Sequence, residues 1–156
     1  MTYISGVPSD TGEACFLCAA AIPGGADEAL VVDRGTLVYV LMNRFPYTSG
    51  HLMVAPVRHA AGVLALTSEE GAALFAATQR AVLALTDAMH PDGFNIGINQ
   101  GSAAGASAEH VHIHVVPRWA GDTNFMPVIG EVKVLPQDLE TTAANLREAF
   151  VRLGPL

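Results

Sequence analysis

The pattern of apolar and polar residues in the first third of the chain predicts three strands. Apolar runs occur at "EALVVDRG" and "TLVYVLMN", and the turn residues Asp33, Arg34 and Gly35 separate them. A third run, "HLMVAPV", predicts another strand, which Pro56 ends because proline cannot donate to a strand ladder. The three runs predict the beginning of an antiparallel sheet, a strand meander.

A helical period replaces this pattern in the middle of the chain. Thr67 and Glu70 fit a capping box, which is typical of a helix N-terminus. Apolar residues then recur at near-helical intervals, at Leu74, Val82, Leu85 and Met89. The turn residues from Pro91 to Gly93 end the main helix.

Strand patterns return after this helix. The stretch "FNIGINQG" alternates weakly, "SAAGASA" is a loop of small residues, and "HVHIHVVP" predicts a strand that Pro117 closes. Residues 119–134 look irregular, with one short strand, and residues 136–154 predict a terminal helix that starts at Pro136. Strands on both sides of one central helix, with short connections, favour an α+β fold over a doubly wound parallel sheet.

Composition and charge narrow the classes of function. The chain has 156 residues, 51% of them hydrophobic and 15% charged, which is typical of one globular domain. Its net charge of -7 has the wrong sign for a broad basic surface that binds nucleic acid. The apolar runs are too short to span a membrane, and residues 1–14 form a polar extension without a signal sequence. We therefore expect a cytoplasmic protein that binds neither nucleic acid nor membranes.

Three histidines occupy alternate positions in "EHVHIHVVPRW", at His110, His112 and His114. On a strand these side chains share one face, where several rings address one extended ligand. One interpretation is that the three histidines are ordinary half-exposed polar residues, and a second is that they form a metal site. A third is phosphoryl or nucleotidyl transfer through a histidine adduct, because neutral imidazole is nucleophilic near pH 7. The loop "NQGSAAGAS", which contains Gly105, supports the third, since its backbone N–H groups suit phosphate oxygens.

Cys15 and Cys18 form a Cys-x-x-Cys pair in "CFLC". In a reducing compartment this spacing indicates a metal pair or a redox pair before a structural disulfide. Two buried cysteines that act as small hydrophobic residues are the alternative. For a tetrahedral metal site two histidines are also needed, and the candidates are His51, His59, His90 and His110.

The motif "HVHIHVV" resembles the signature of the histidine triad (HIT) superfamily, which has apolar residues between and after its histidines. The resemblance extends from about Cys15 through Arg118 and includes "MNRFPYTSGHLMVAP" and "GINQG". The stretch "HVVPRWAGDTNFMPVIG" is similar to bacterial and archaeal members related to diadenosine tetraphosphate phosphorylases and hydrolases. The resemblance implies a single HIT domain over residues 1–156, with an antiparallel sheet, one central helix and a C-terminal extension over 119–156 that includes the terminal helix.

The resemblance also implies the roles of the candidate catalytic residues. His112 would be the nucleophile that attacks the α-phosphorus of a nucleotide, His114 would assist the leaving group, and His110 would support the site.

Three further positions match polar contacts of the family. Asn43 matches the contact to the ribose hydroxyls, and Asn99 and Ser107 match contacts to the phosphates and leaving group. Many HIT members have glutamine before this serine, whereas this chain has Ala106, so a backbone N–H takes over that contact or the acceptor preference differs.

Some HIT proteins with a Cys-x-x-Cys pair bind structural zinc, and the resemblance implies Cys15, Cys18, His59 and His110 as its ligands. His51 and His90 are then interpreted as structural or surface residues. The resemblance implies a homodimer and no organic cofactor.

The predicted function is cleavage of dinucleoside polyphosphates through a nucleotidyl-histidine intermediate, with water or phosphate as the acceptor. A phosphoramidate hydrolase and a nucleotide-binding module without turnover are the two alternatives.

Overall fold

The structure is a computed structural model that describes residues 15–25, 27–122 and 138–155. Its strands are β1 (Val31–Arg34), β2 (Val38–Met42), β3 (Leu52–Pro56), β4 (Gly93–Gly97) and β5 (Ile113–Arg118). Its helices are α1 (Phe16–Ala21), α2 (Ser68–Met89) and α3 (Leu139–Arg152), with 3-10 turns at Glu28–Leu30, Val63–Ala65 and Ser102–Ala104. The strands form a single antiparallel sheet in the order β1-β2-β3-β5-β4.

Helices cover both faces of the central strands. Residues of α2 and α3 pack against one face in the larger core cluster, which includes Val40 of β2 and Val54 of β3. Residues of α1 pack against the other face, where they meet Tyr39 and Leu41. All residues of β2 and β3 are therefore buried, which explains why these strands read as continuous apolar runs without alternation.

The structure confirms the α+β fold class, the antiparallel sheet and both predicted helices. The capping box of α2 is present, with the Glu70 N–H donating to the Thr67 hydroxyl at 3.1 Å. The terminal helix begins at Leu139, with Asp138 as its N-cap, later than the predicted start. Pro136, the polar extension 1–14 and most of the predicted short strand in 119–134 lie outside the described residues.

The strand that carries the histidines is shorter than predicted, because β5 begins at Ile113 and not at His110. The pairing with β3 starts at Val54 and Ile113. It does not extend further because Pro56 has no N–H, and its carbonyl accepts from His110 Nε2 at 3.0 Å. Of the three histidines only His114 lies within β5, so the predicted strand over His110 to His114 is wrong in its start, while the rings of His112 and His114 still lie side by side.

Backbone hydrogen bonds close the loop between β2 and β3. The Asn43 N–H donates to the His51 carbonyl at 2.9 Å, and the His51 N–H donates to the Thr48 carbonyl at 3.2 Å. Gly50 has a φ of 79°, and a Cβ there would lie 2.5 Å from Met89 Sδ. The left-handed φ favours glycine here, whereas the flexible Met89 side chain at the end of α2 could move away from a Cβ.

In the part of the chain that the structure describes, no helix has the length and apolar character that membrane spanning requires.

Candidate active site and metal centre

His112 and His114 form a ring pair at the start of β5. Their ring centroids lie 4.7 Å apart with an edge-to-face angle of 74°. His112 is buried, and its Nδ1 lies 2.8 Å from the carbonyl oxygen of His110. A carbonyl only accepts hydrogen bonds, so Nδ1 carries the proton. In a neutral His112 ring the lone pair is therefore on Nε2.

His51, which is not part of the histidine triad, forms a hydrogen bond with His114. His51 is fully buried just before β3, and its Nε2 lies 2.9 Å from His114 Nδ1. His51 Nδ1 receives the Tyr47 N–H at 3.2 Å and has Asn43 Nδ2 at 3.4 Å, and both of these groups are donors. The proton of His51 is therefore on Nε2, which donates to His114 Nδ1. His114 is left with an Nε2–H group as its remaining donor.

The interpretation of His51 as a structural or surface residue missed this contact. The ring is buried, as a structural residue would be, but it also sets the tautomer of a candidate catalytic histidine. The available signal was its position directly before a predicted strand that pairs with the histidine strand, where Met53 lies opposite His114.

Burial keeps these rings neutral. It lowers the pKa of His51 to about 3, with smaller contributions from the nearby charges of His114 and His112. It also lowers the pKa of His114 to about 4, assisted by His112. Burial lowers the pKa of His112 as well, although the hydrogen bond to the His110 carbonyl opposes that shift. The three rings are thus neutral near pH 7, the form in which imidazole is a nucleophile.

The four residues that the sequence predicted as metal ligands come together at one point. The ligand atoms of Cys15, Cys18, His59 and His110 all lie within 4.8 Å of one another. His110 Nδ1 is 3.4 Å from Cys15 Sγ and 3.5 Å from Cys18 Sγ, and His59 Nδ1 is 3.4 Å from Cys18 Sγ. Tetrahedral zinc, with bonds of about 2.3 Å to sulfur and 2.0–2.1 Å to nitrogen, separates such atoms by about 3.5 Å. The four residues could therefore hold a metal ion.

The tautomer of His110 suits this arrangement. Its Nε2 donates to the carbonyl of Pro56, so the lone pair of Nδ1 is directed at the two sulfur atoms. His110 thus contacts the cysteines with its ring and His112 with its carbonyl.

Three separate segments bring the four ligands together. Cys15 and Cys18 lie one turn apart at the start of α1, which the buried Tyr39 hydroxyl anchors by donating to the Leu17 carbonyl at 2.6 Å. The Val111 N–H donates to the Ala60 carbonyl at 2.7 Å and joins the His59 and His110 segments.

An ion pair fixes the segment that carries His59. The Arg58 guanidinium lies 2.7 Å from a Glu70 carboxylate oxygen at the N-terminus of α2. The hydrogen bond from Arg58, followed by the one from the Thr67 N–H, lowers the pKa of Glu70 to about 2. Glu70 is therefore ionised near neutral pH, where it pairs with Arg58.

The other predicted site residues form no comparable contacts with the triad rings among the described residues. The amide of Asn43 reaches His51. Asn99 follows the end of β4, where Gly97 lies opposite His114. Gly105 has a left-handed φ of 82° after the 3-10 turn, and Ser107 is exposed. No hydrogen bond from the side chains of Asn99 or Ser107 to the triad rings is present among the described residues.

The described residues thus combine a five-stranded antiparallel sheet, neighbouring neutral imidazoles and a Cys2His2 cluster. The HIT domain family model matches residues 25–121, more than half of the chain. The chain therefore belongs to the HIT family, which confirms the resemblance seen in the sequence.

Named relatives and solved structures agree with this assignment. The AP-4-A phosphorylase of Mycobacterium tuberculosis is 49% identical over 127 residues, which cover 81% of this chain and 65% of that relative. The bis(5'-adenosyl)-triphosphatase of Dictyostelium discoideum is 38% identical over 82 residues, 53% of this chain and 55% of that protein. This chain thus spans less than two thirds of the length of either relative. A crystal structure of a Zn-bound histidine triad family protein from Mycobacterium smegmatis matches with a TM-score of 0.75 and 29% identity, over 90% of this chain and 96% of that one.

The lowered pKa values of His51 and His114 predict that acid destabilises the fold. An unfolded histidine titrates near pH 6.5, about 6.5 being its unperturbed pKa, whereas the folded rings stay neutral down to about 3 and about 4. Below pH 6.5 the unfolded chain therefore binds more protons, and the free energy of unfolding decreases as the pH falls towards 4. We expect His51→Gln to reduce this slope by at most about 1.4 kcal/mol per pH unit, measured by urea denaturation between pH 7 and 4.5.

His90→Asn is the matched control for this measurement, because His90 is exposed after the end of α2. It should leave the slope unchanged. Equal slopes for the wild type and His51→Gln would contradict the assignment of a neutral, buried His51.

Proposed function

We propose that this chain is a nucleotidyl hydrolase or transferase that cleaves dinucleoside polyphosphates, such as diadenosine tetraphosphate, through a covalent nucleotidyl-histidine. The names of the M. tuberculosis and D. discoideum relatives support the substrate class. The hydrogen bond between His112 Nδ1 and the His110 carbonyl is the observation that carries the mechanism. It leaves the lone pair of His112 Nε2 for attack on phosphorus.

The first step forms a bond between His112 Nε2 and the α-phosphorus and breaks the bond from phosphorus to the leaving oxygen. The His112 ring becomes positively charged, and its Nδ1–H continues to donate to the His110 carbonyl, which stabilises that charge. The displaced nucleoside polyphosphate keeps the electron pair of the broken bond.

His114 assists this step by donating a hydrogen bond from Nε2 to the phosphate oxygens. It does not give up that proton, because a neutral imidazole without its only proton would be an anion. His51 supports it by holding His114 Nδ1 at 2.9 Å, so that Nε2–H is directed at the substrate. In the second step water or inorganic phosphate attacks the same phosphorus, and His112 leaves as a neutral ring. Water gives a nucleoside monophosphate and a proton, and phosphate gives a nucleoside diphosphate.

Neutral donors bind the phosphates in this proposal. Asn99 and Ser107 would contact phosphate oxygens, and Asn43 would bind the ribose hydroxyls. The N–H groups of Gly105 and Ala106 already donate to carbonyl oxygens of the same loop at 3.0 and 3.2 Å, so a phosphate oxygen would have to replace those bonds to be held there. Ala106 also replaces the glutamine of many family members, so the acceptor preference would differ.

The test of this proposal is the trapping of the intermediate. The wild type, mixed with diadenosine tetraphosphate and quenched with alkali, should gain the mass of one AMP group on the peptide that contains His112. His112→Asn should show no adduct, and its turnover should fall by at least about 10³-fold, because the covalent route is lost. His90→Asn should retain adduct and turnover, since its side chain is exposed and has no hydrogen bond or ring contact with the triad among the described residues.

Product analysis decides between the acceptors. Turnover that needs added phosphate and yields ADP identifies a phosphorylase, and turnover in plain buffer that yields AMP identifies a hydrolase. A clear preference for phosphoramidates would overturn the proposed substrate class. An unlabelled but folded wild type would overturn the covalent mechanism and favour a binding module.

We also propose that the cluster of Cys15, Cys18, His59 and His110 binds structural zinc. Two thiolates and two imidazoles at tetrahedral spacing are a donor set that zinc prefers. The similar M. smegmatis protein is described as Zn-bound. Four protein ligands leave no open position, so the ion would clamp the three segments together and would not act as a Lewis acid.

Purified protein should contain about one zinc ion per chain by elemental analysis. Cys18→Ser should lose most of it, and chelation should lower the free energy of unfolding by more than about 2 kcal/mol, because metal binding is coupled to folding. His90→Asn should keep its zinc. A zinc-free protein with unchanged stability after treatment with chelator would contradict a structural metal.

We further propose that the chain forms a homodimer through β4 and α2. β4 is an edge strand, and Ile96 and Ile98 are 51% and 40% exposed there. Ile96 lies opposite Val115, whose side chain packs in the core under α2, so Ile96 is on the face that α2 covers. Phe75 and Leu83 of α2 are 64% and 55% exposed. A second copy that pairs with the β4 edge would cover this surface in a two-fold interface.

Sedimentation equilibrium tests the dimer. Leu83→Glu should shift the protein towards monomer, because the interface would have to bury an unpaired carboxylate. Leu64→Glu is the matched control, since Leu64 is 97% exposed in the turn at Val63–Ala65, outside the proposed interface. A monomeric wild type would overturn this proposal. The cytoplasmic location and the absence of nucleic-acid, membrane and organic-cofactor binding stay predictions from the sequence.

A further inference from the structure

Tyr47 places an exposed aromatic ring beside the histidines. The residue is 68% exposed, although its ring centroid lies 4.6 Å from that of His51 and 6.1 Å from that of His114. The ring is tilted by 37° against His51, and most of the side chain is still open to solvent. An exposed aromatic side chain that is already in place beside a reactive centre is a stacking surface for a planar ligand.

Hydrogen bonds anchor the loop that carries Tyr47, and the ring contacts place its side chain beside the histidines. The Tyr47 N–H donates to His51 Nδ1 at 3.2 Å. Its neighbour Thr48 donates its hydroxyl to the Pro117 carbonyl at 3.0 Å, which ties the loop to β5. Gly50 closes the turn in a conformation that other residues rarely adopt. A ring that is already ordered loses little entropy when it binds a ligand.

The position of Tyr47 relative to the histidines decides which part of a substrate it meets. Its ring contacts His51 and His114. Among the ring contacts of the described residues, its partners do not include the proposed nucleophile His112. Tyr47 therefore lies on the His114 side, where the leaving group departs in the proposed mechanism. The leaving group of a dinucleoside polyphosphate carries a second nucleobase, whereas that of a simple nucleoside polyphosphate does not.

We propose that Tyr47 stacks on the nucleobase of the leaving nucleotide and thereby selects dinucleoside over mononucleoside polyphosphates. This inference rests on the function proposed above. Stacking on an aromatic ring is tolerant of base identity, because every base has a planar face. The subsite therefore favours the presence of a second base more than the kind of base.

The experiment compares kcat/KM for two substrates with the same phosphate chain, diadenosine tetraphosphate and adenosine 5'-tetraphosphate. Tyr47→Ala should lower kcat/KM about tenfold for the first, equivalent to about 1.4 kcal/mol and within the range of one base stack. It should change kcat/KM less than about twofold for the second. Tyr47→Phe should resemble the wild type with both substrates, because the aromatic face is retained.

Two controls separate stacking from indirect effects. Tyr47→Ala keeps the backbone N–H that orients His51, so the tautomers of His51 and His114 are preserved. Phe45→Ala removes an aromatic ring from the same loop with a similar exposure of 67%, and it should leave the ratio of the two kcat/KM values within about twofold.

The possible outcomes are distinct. An equal loss with both substrates would overturn the inference, since it would show that Tyr47 acts on the histidines and not on the second base. No loss with either substrate would also overturn it. A wild type that is inactive on both would overturn the proposed function together with this subsite, whereas a wild type that cleaves both equally well would overturn the subsite alone.

Discussion

His110 forms three contacts at once, and the arrangement of both candidate sites depends on them. Its Nε2 donates to the Pro56 carbonyl, its Nδ1 meets the sulfur atoms of Cys15 and Cys18, and its carbonyl accepts from His112. The bond to Pro56 fixes which nitrogen has the lone pair, and thus which atom is available to a metal. The bond from His112 does the same for the neighbouring ring. His110 therefore links the two candidate sites, because its ring faces the candidate metal position while its carbonyl sets the tautomer of the candidate nucleophile.

The tautomer of His114, the second candidate catalytic residue, is set by a different contact. His114 Nδ1 accepts a hydrogen bond from His51 Nε2, and the tautomer of His51 is fixed by the backbone N–H of Tyr47. This pair lies between β3 and β5, and the pairing of Met53 with His114 brings the two rings within reach. The sheet thus aligns one histidine from the interior of a strand with another from the end of the preceding loop. Burial then keeps both rings neutral. A neutral ring has one nitrogen that donates a hydrogen bond and one that accepts, as this arrangement requires.

The sequence predicted the parts of the fold that local pattern determines. The capping box at Thr67, the long periodic helix and the apolar runs of β2 and β3 each have a signal within a few residues. The cluster of four metal-ligand candidates was predicted from the family resemblance, and the structure brings those residues together. The short helix α1 was missed because six residues show too little periodicity. The late start of β5 and the contact of His51 with His114 depend on strand register, which a single sequence does not specify.

The four metal-ligand candidates are widely separated along the chain. Cys15 and His110 are 95 residues apart, and Cys18 and His59 are 41 residues apart. An ion that joined them would be a cross-link across most of the folded core, comparable in topology to a long-range disulfide. Unlike a disulfide, the ion would hold all four ligands only in the folded chain, so it would stabilise the folded state by the free energy of its binding. It would also make folding sequential, since only the cysteine pair is local enough to capture an ion before the sheet has formed.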